Sequence, residues 1–406
     1  MSKYNFDKIV DRAGTNSLKW DIRDGELPMW VADMDFETAP EITEAIINRA
    51  SSGIFGYSTI PDEWSESYID WWKKRHLYTL EKDWLIFCTG VVPAISSIVR
   101  KLTTPAEKVL VFTPVYNIFF NSIINNGRVP VECPLIYVEN EEFALDHNGV
   151  SDGHFEINWE LFEKQASDPQ VSMLIFCNPQ NPTGTIWYRK TLCRVGEICA
   201  KYGITVVSDE IHCDLICPMG RYIPFASVSE VNRDISITCI APSKTFNIAG
   251  LCSAAVSVPN PKLRHKVWRA LNTDEIAEPN VFAVQAAIAA YKYGADWLDE
   301  LRIYVGDNKN LVHRYIEDNI PELKYVSGLA TYLCWIDARK LLDYSEKRGI
   351  NLARLIRQET GLWITDGAAY GEAGRGYLRM NVACPRSYVE DGLDRLKRGI
   401  KRSGRV

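Results

Sequence analysis

Four short apolar runs punctuate the middle of the chain: KVLVFTP (Lys108–Pro114), VSMLIFCNP (Val171–Pro179), ITVVSDE (Ile204–Glu210) and DISITCIAP (Asp234–Pro242). Each has a β-rich core ended by Pro, Asp or Glu. The apolar residues are nearly continuous and do not alternate with polar ones, which predicts strands buried on both faces of a sheet. Between the second and third runs lies YRKTLCRVGEICAKYG. There Leu192, Val195, Cys199 and Tyr202 fall on one helical stripe, and Gly203 stands at the expected C-cap. Strand, helix and strand at this spacing predict right-handed βαβ units and a mostly parallel sheet.

The pattern changes in the last third. FAVQAAIAAYKYGADWLDELRIYVGDNKNLVHRYIEDN predicts long helices, ATYLCWID and GYLRMNV predict short strands, and SYVEDGLDRLKRGI predicts a closing amphipathic helix. The expected fold class is α/β. A large domain carries the mostly parallel sheet flanked by helices, and a smaller α+β domain is built from the N- and C-terminal segments. The boundaries read from the pattern are an N-terminal segment, 1–50, joining the small domain; a large domain, 51–288; and a C-terminal small domain, 289–406.

Composition narrows the function. Of 406 residues, 46% are hydrophobic and 24% charged, as in an ordinary globular protein, and the net charge of -6 argues against nucleic acid as a partner. The 11 cysteines are odd in number and lack a repeated CxxC, which predicts reduced thiols and a cytoplasmic protein. No apolar run approaches the ~18 residues of a membrane span. The N-terminus is polar and carries no apolar signal-peptide core.

Chemistry in an open α/β sheet collects beyond the carboxyl ends of the strands. Here those ends lead into NPQNPTG (Asn178–Gly184), DEIHCD (Asp209–Asp214) and SKTFN (Ser243–Asn247), and LIFC (Leu85–Cys88) leads into a Gly turn opening a helix. A helix N-terminus at Gly90, Val91 and Val92 could cradle a phosphate, with a hydroxyl from Ser243. Asp209 could hold the positive charge of a heteroaromatic nitrogen, and Asn181 could bond a phenolic oxygen. Tyr116 could stack on a ring. Lys244, the lone ammonium of APSKTFNIAGL, could form a Schiff base if burial and nearby positive charge lower its pKa. Phosphate, cationic ring nitrogen, phenolate and an aldehyde-reactive lysine together describe pyridoxal 5′-phosphate. Singly, each residue has a plainer reading: Asp209 as a helix N-cap, Lys244 as a surface lysine, NPQNPTG as turn chemistry. DEIHCD with Cys217 suggests a metal site, but no HExxH or paired CxxC spacing supports it, and no metal is expected. Trp71 and Trp72 read as packing residues, and Cys177 and Cys213 as small buried hydrophobes.

The segments FDKIVDRAGTNSLKWD, LPMWVADMDF, GIFGYS, NPQNPTG, SDEIHCDL, SKTFNIAGL and YLRMNVACPR resemble fold-type I pyridoxal-phosphate enzymes of the class I/II aminotransferase superfamily. More narrowly, they resemble the MalY/PatB-type branch of cystathionine β-lyase-like carbon–sulfur lyases. The resemblance implies Lys244 as Schiff-base lysine and base at Cα, Asp209 at the pyridinium nitrogen, and Asn181 at the phenolic oxygen. His212 stands where many aminotransferases have a tyrosine. Tyr116 would stack on the ring beside the substrate, and Gly90, Val91, Val92 and Ser243 would hold the phosphate. The arginine that many aminotransferases place shortly after the lysine is absent from SKTFNIAGLCSAAV. Arg379 would grip the substrate α-carboxylate. Tyr57 would reach the phosphate of the other subunit, implying a homodimer with active sites at the interface and a small amino acid as substrate. The implied activity is β-elimination from cystathionine, cysteine or related S-conjugates to a thiol, pyruvate and ammonia. An aminotransferase uses the same cofactor residues, and a non-catalytic regulatory protein that binds the cofactor is a third possibility.

Overall fold

The computed structural model describes residues 3–139, 153–342 and 350–403. Its centre is an eight-stranded mixed sheet. In chain order the strands are β1 (Leu85–Cys88), β2 (Lys108–Thr113), β3 (Val129–Glu139), β4 (Gly153–Ile157), β5 (Val171–Cys177), β6 (Thr205–Asp209), β7 (Ser236–Ile240) and β8 (Ala254–Ser257). Across the sheet they run β1-β8-β7-β6-β5-β2-β3-β4. Neighbours from β7 to β3 pair in parallel; β8 is antiparallel to both β7 and β1, and β4 is antiparallel to β3. β1 therefore points the same way as the central strands, so the chain leaves β1, β2, β5, β6 and β7 at one edge.

The four apolar runs form β2, β5, β6 and β7 as expected, and all five residues of β7 are buried. Helices cover both faces. They include α1 (Asp62–His76), α2 (Val91–Leu102), α3 (Arg189–Lys201), α4 (Ala283–Tyr293) and α5 (Ala295–Asn319). In α3 the stripe Leu192, Val195 and Cys199 is buried, and Gly203 follows with a φ of 70° that glycine adopts without strain.

The long helical pattern of the last third is divided between α4 and α5 at Gly294. A Cβ there would lie 2.3 Å from Phe246 Cε1, so only glycine lets that ring approach. Phe246 joins an aromatic core with Trp71, Tyr291 and Trp297, two residues from Lys244 in sequence. Trp71 and Trp72 are buried in this core.

A four-stranded antiparallel sheet follows: β9 (Lys324–Tyr325), β10 (Leu333–Asp337), β11 (Thr365–Asp366) and β12 (Tyr377–Asn381), in the order β9-β10-β12-β11. The helix Arg386–Ser403 closes the chain. Residues from the N-terminal segment enter this region: Leu27–Pro28 pairs in parallel with Leu362–Trp363, and Leu27 and Met29 pack in the same apolar cluster as Val389 and Leu393.

Candidate active site

Register brings the predicted loops together. Cys177 lies opposite Asp209, and Asp209 opposite Cys239. Just past the strands, Asn178 N–H donates to the Asp209 carbonyl and Glu210 N–H to the Cys239 carbonyl, each at 2.9 Å. The loops bearing Asn181, Asp209 and Lys244 thus start from one line across the sheet. Gln180 Nε2 donates to the carbonyls of Phe112 and Pro114 at 2.9 and 2.8 Å, fixing the NPQNP loop against the segment that carries Tyr116.

Lys244 sits in a short helical turn, Pro242–Thr245, directly after β7. Its Nζ donates to the carbonyl of Ala32 at 2.6 Å. Burial lowers its pKa, the charge of Arg379 lowers it further, and Asp33 and Asp209 offset only part of this. The amine is thereby biased toward the neutral, nucleophilic form. Asp209 is also buried, with Oδ1 accepting from Ile211 N–H at 3.1 Å. Burial, aided by the charge of Glu210, pushes its pKa up to about 7 despite that hydrogen bond and Lys244. His212 is held neutral: burial first, then Lys244 and Arg379, push it down to about 3. Tyr116 is half-buried, and burial raises its phenol against the opposing charge of Arg379.

Arg379 projects from β12 in the other sheet. Its guanidinium donates to the Trp30 carbonyl at 2.8 Å and to Asn181 Oδ1 at 3.3 Å, over the ring of Tyr370. Lys244, Asp209, Asn181, His212, Tyr116 and Arg379 therefore form one cluster between the two sheets.

A further component carries no side-chain signature in the sequence. The stretch Trp30–Phe36 lies over the cluster and is held through its backbone. Asn381 Nδ2 donates to the carbonyls of Val31 and Asp33, Tyr332 OH donates to that of Ala32, and Asn247 Nδ2 donates to those of Met34 and Phe36, all between 2.6 and 3.0 Å. The side chains of Asp33 and Asp35 are held by the N-terminal segment. Arg12 bridges both at 2.7 Å, and buried Lys19 and the Trp20 indole bind Asp35 at 2.7 Å. The FDKIVDRAGTNSLKWD segment is thus the clamp that holds WVADMDF over Lys244. Asn247 and Asn381, polar residues inside apolar motifs, are the signal that could have located this strap.

The residues expected to hold a phosphate lie at the predicted helix start. Gly90 is the N-cap of α2, Val91 and Val92 are its first residues, and its first turn carries no acidic side chain to offset the exposed N–H groups. Ser243 is half-buried beside Lys244. A single chain does not bring Tyr57 into the cluster: it is fully exposed, on a groove of about 550 Å³ lined by Phe55, Leu251 and Phe282. Cys217 does not join a metal-type cluster with DEIHCD; among the described residues such a cluster is His76, Cys213 and Asp214. Cys177 and Cys213 are buried thiols whose pKa values burial drives well upward.

The site fits pyridoxal 5′-phosphate. Arg379 Nε and His212 Nδ1 are buried without a hydrogen-bond partner among the described residues, one suited to a carboxylate and the other to a polar group on the cofactor or substrate. Asp209 is a buried acid whose anion is disfavoured until a cation, such as a protonated ring nitrogen, stands beside it.

The profile of the aminotransferase class I and II family matches residues 27–396. The chain is 39% identical to cystathionine β-lyase PatB of Bacillus subtilis, over 98% of this chain and 100% of that protein. It is 34% identical to protein MalY of Escherichia coli, over 98% and 99%. The crystal structure of a pyridoxal-phosphate-bound C–S lyase from Staphylococcus hominis superposes with a TM-score of 0.87 at 32% identity, covering 98% of this chain and 99% of that one.

Proposed function

The chain belongs to the aminotransferase class I and II family, and within it we propose that the protein is a pyridoxal-phosphate-dependent carbon–sulfur β-lyase. The proposed substrates are cystathionine, cysteine or related S-conjugates, cleaved to a thiol, pyruvate and ammonia. The carrying observation is the half-buried, pKa-lowered amine of Lys244 held 2.6 Å from the Ala32 carbonyl in one cluster with Asp209 and Arg379. Elimination is favoured over transamination by the relatives named as cystathionine β-lyase and C–S lyase, and by His212 in the place of a tyrosine.

When bound, pyridoxal 5′-phosphate supplies an aldehyde for amines and a ring that accepts electrons. The residues of the chain do the rest. Arg379 receives the substrate carboxylate on its guanidinium, where Nε has no other partner. Asp209 would face the ring nitrogen of the cofactor and keep it protonated. Asn181 bonds the phenolic oxygen, and His212, neutral throughout, adds no competing charge beside it. Lys244 Nζ would remove the substrate Cα proton as general base. The electron pair of that C–H bond ends by expelling the thiolate from Cβ. The Trp30–Phe36 strap covers the lysine and restricts water.

The working enzyme is proposed to be a cytoplasmic homodimer in which Tyr57 completes the phosphate site of the partner. The exposed Tyr57 and Phe55 beside the apolar groove support the dimer. Eleven unpaired cysteines support the compartment. Among the described residues no helix is long and apolar enough to cross a membrane. The division at 50 and 288 is a proposal; the pairing of Leu27–Pro28 with Leu362–Trp363 supports the joining of the N-terminal segment to the small domain, while position 288 falls inside α4.

The test is to incubate cofactor-loaded protein with cystathionine and measure pyruvate. Pyruvate formed without an added keto acid supports the lyase. Amino transfer that requires a keto acid, with no pyruvate, would show an aminotransferase. No turnover of any amino acid would favour a regulatory role.

A further inference from the structure

Asp214 lies five residues after Asp209, and the reaction above does not use it. Its carboxylate is buried and accepts three hydrogen bonds from two separate elements: Trp71 Nε1 at 2.9 Å and His76 Nε2 at 3.0 Å from α1, and Thr245 Oγ1 at 3.0 Å from the turn that carries Lys244. Burial alone would raise its pKa, but the hydrogen bond and charge of His76, with the Trp71 and Thr245 donors, outweigh burial and keep it ionised. The donor atoms of His76, Cys213 and Asp214 lie within 4.8 Å of one another, as in a cation site. That use is disfavoured, because the carboxylate is already engaged by donors and the Cys213 thiol is driven up by burial and by the charges of Asp214 and Glu210. The trio is a hydrogen-bond hub.

A buried anion shared by donors on different elements fixes their relative placement, since releasing any one donor leaves charge unpaired in a low-dielectric interior. Thr245 is the residue next to Lys244 and is itself fully buried. We propose that Asp214 is a positioning residue: acting through Thr245, it sets the direction in which the Lys244 side chain leaves its turn, and so the path of Nζ between the Ala32 carbonyl and the substrate Cα. This takes Lys244 as the base, as proposed above.

The test compares Thr245→Val, Thr245→Ser and Asp214→Asn as cofactor-loaded enzymes and as cofactor-free protein. Valine keeps the shape of threonine and removes the donor; serine keeps the donor. Thr245→Val is expected to lower kcat about tenfold or more with KM within about twofold. It should also move the pH midpoint of the lysine–cofactor absorbance change by about half a unit or more, and alter the pH dependence of Lys244 acylation in the cofactor-free protein. Thr245→Ser should restore all three, and Asp214→Asn should follow Thr245→Val. Should Asp214→Asn fail to fold, the valine–serine pair decides. An unchanged kcat and midpoint in Thr245→Val, or equal impairment in Val and Ser, would overturn the positioning role. Failure of the base assignment itself has a separate signature: an absorbance change that survives in Lys244→Ala.

Discussion

Removing the charge of Asp209 should cost the enzyme its chemistry and make the cofactor-free protein more stable. The carboxyl is buried and its pKa is pushed up to about 7 from an ordinary value of 3.8. Between those pH values the folded chain holds a proton that the unfolded chain has lost, so stability falls as pH rises through this window. At about 1.36 kcal/mol per pH unit, the cost is about 2 kcal/mol at pH 5 and levels off at about 4 kcal/mol by pH 8. Asn cannot ionise, and its carbonyl oxygen can still accept from Ile211 N–H, now made at 3.1 Å. Cofactor-free Asp209→Asn should therefore resist urea better than cofactor-free wild type, with an advantage about 2 kcal/mol larger at pH 8 than at pH 5. With cofactor the order of merit reverses. Asn cannot stabilise a protonated ring nitrogen as a carboxylate does, and turnover should drop by orders of magnitude. The assay is urea unfolding of both cofactor-free proteins at the two pH values, followed by tryptophan fluorescence. An Asp209→Asn advantage that is absent at pH 8, or equal at both pH values, would refute the claim that the empty site holds an unfavourable anion.

Other consequences are testable more briefly. Lys244→Ala should lose both the absorbance of the lysine–cofactor linkage and all turnover, seen by spectrophotometry and pyruvate assay. Arg379→Ala should lower kcat/KM about 100-fold, the equivalent of about 3 kcal/mol for a charge-assisted fork, while cofactor content by absorbance stays at wild-type level. His212 is held near pH 3, so the pH–rate profile should show no ionisation belonging to it between pH 5 and 8, and His212→Gln should leave the profile's shape intact. Tyr57→Ala and Lys244→Ala dimers, each inactive alone, should regain about a quarter of wild-type activity after subunits are mixed, since half the dimers then carry one complete site. No recovery on mixing would refute the shared-site arrangement.

The legibility of the fold followed burial. β2, β5, β6 and β7 are central strands covered on both faces, so their sequences are continuous apolar runs. β3 is harder to see because Pro130 and Pro134 interrupt its pattern, and β8 because its four residues, AAVS, are small and short. Lys244, Asp209 and Asn181 were legible because strand ends are where side-chain chemistry collects. Arg379 was found only through family resemblance: it comes from a different sheet, almost 200 residues from Asn181, and no local pattern records that meeting. The strap left only an indirect trace, the polar Asn247 and Asn381 inside apolar motifs. Its contribution is made by the carbonyls of residues such as Trp30 and Ala32, and any residue supplies a carbonyl. Asp214 suggested a metal because Asp, His and Cys crowd there; only its three donors show a different use.

The strap also sets an order of events during synthesis. Residues 30–36 leave the ribosome early, yet their carbonyls are held by Arg379 and Asn381, which leave it almost last; the contact from Asn381 to Val31 spans 350 positions. A growing chain carries its lysine and its aspartate long before the strap can be fastened over them. The reactivity of the amine therefore comes last: burial and the charge of Arg379, which bias Lys244 toward its nucleophilic form, are in place only when the final strand arrives to close the site.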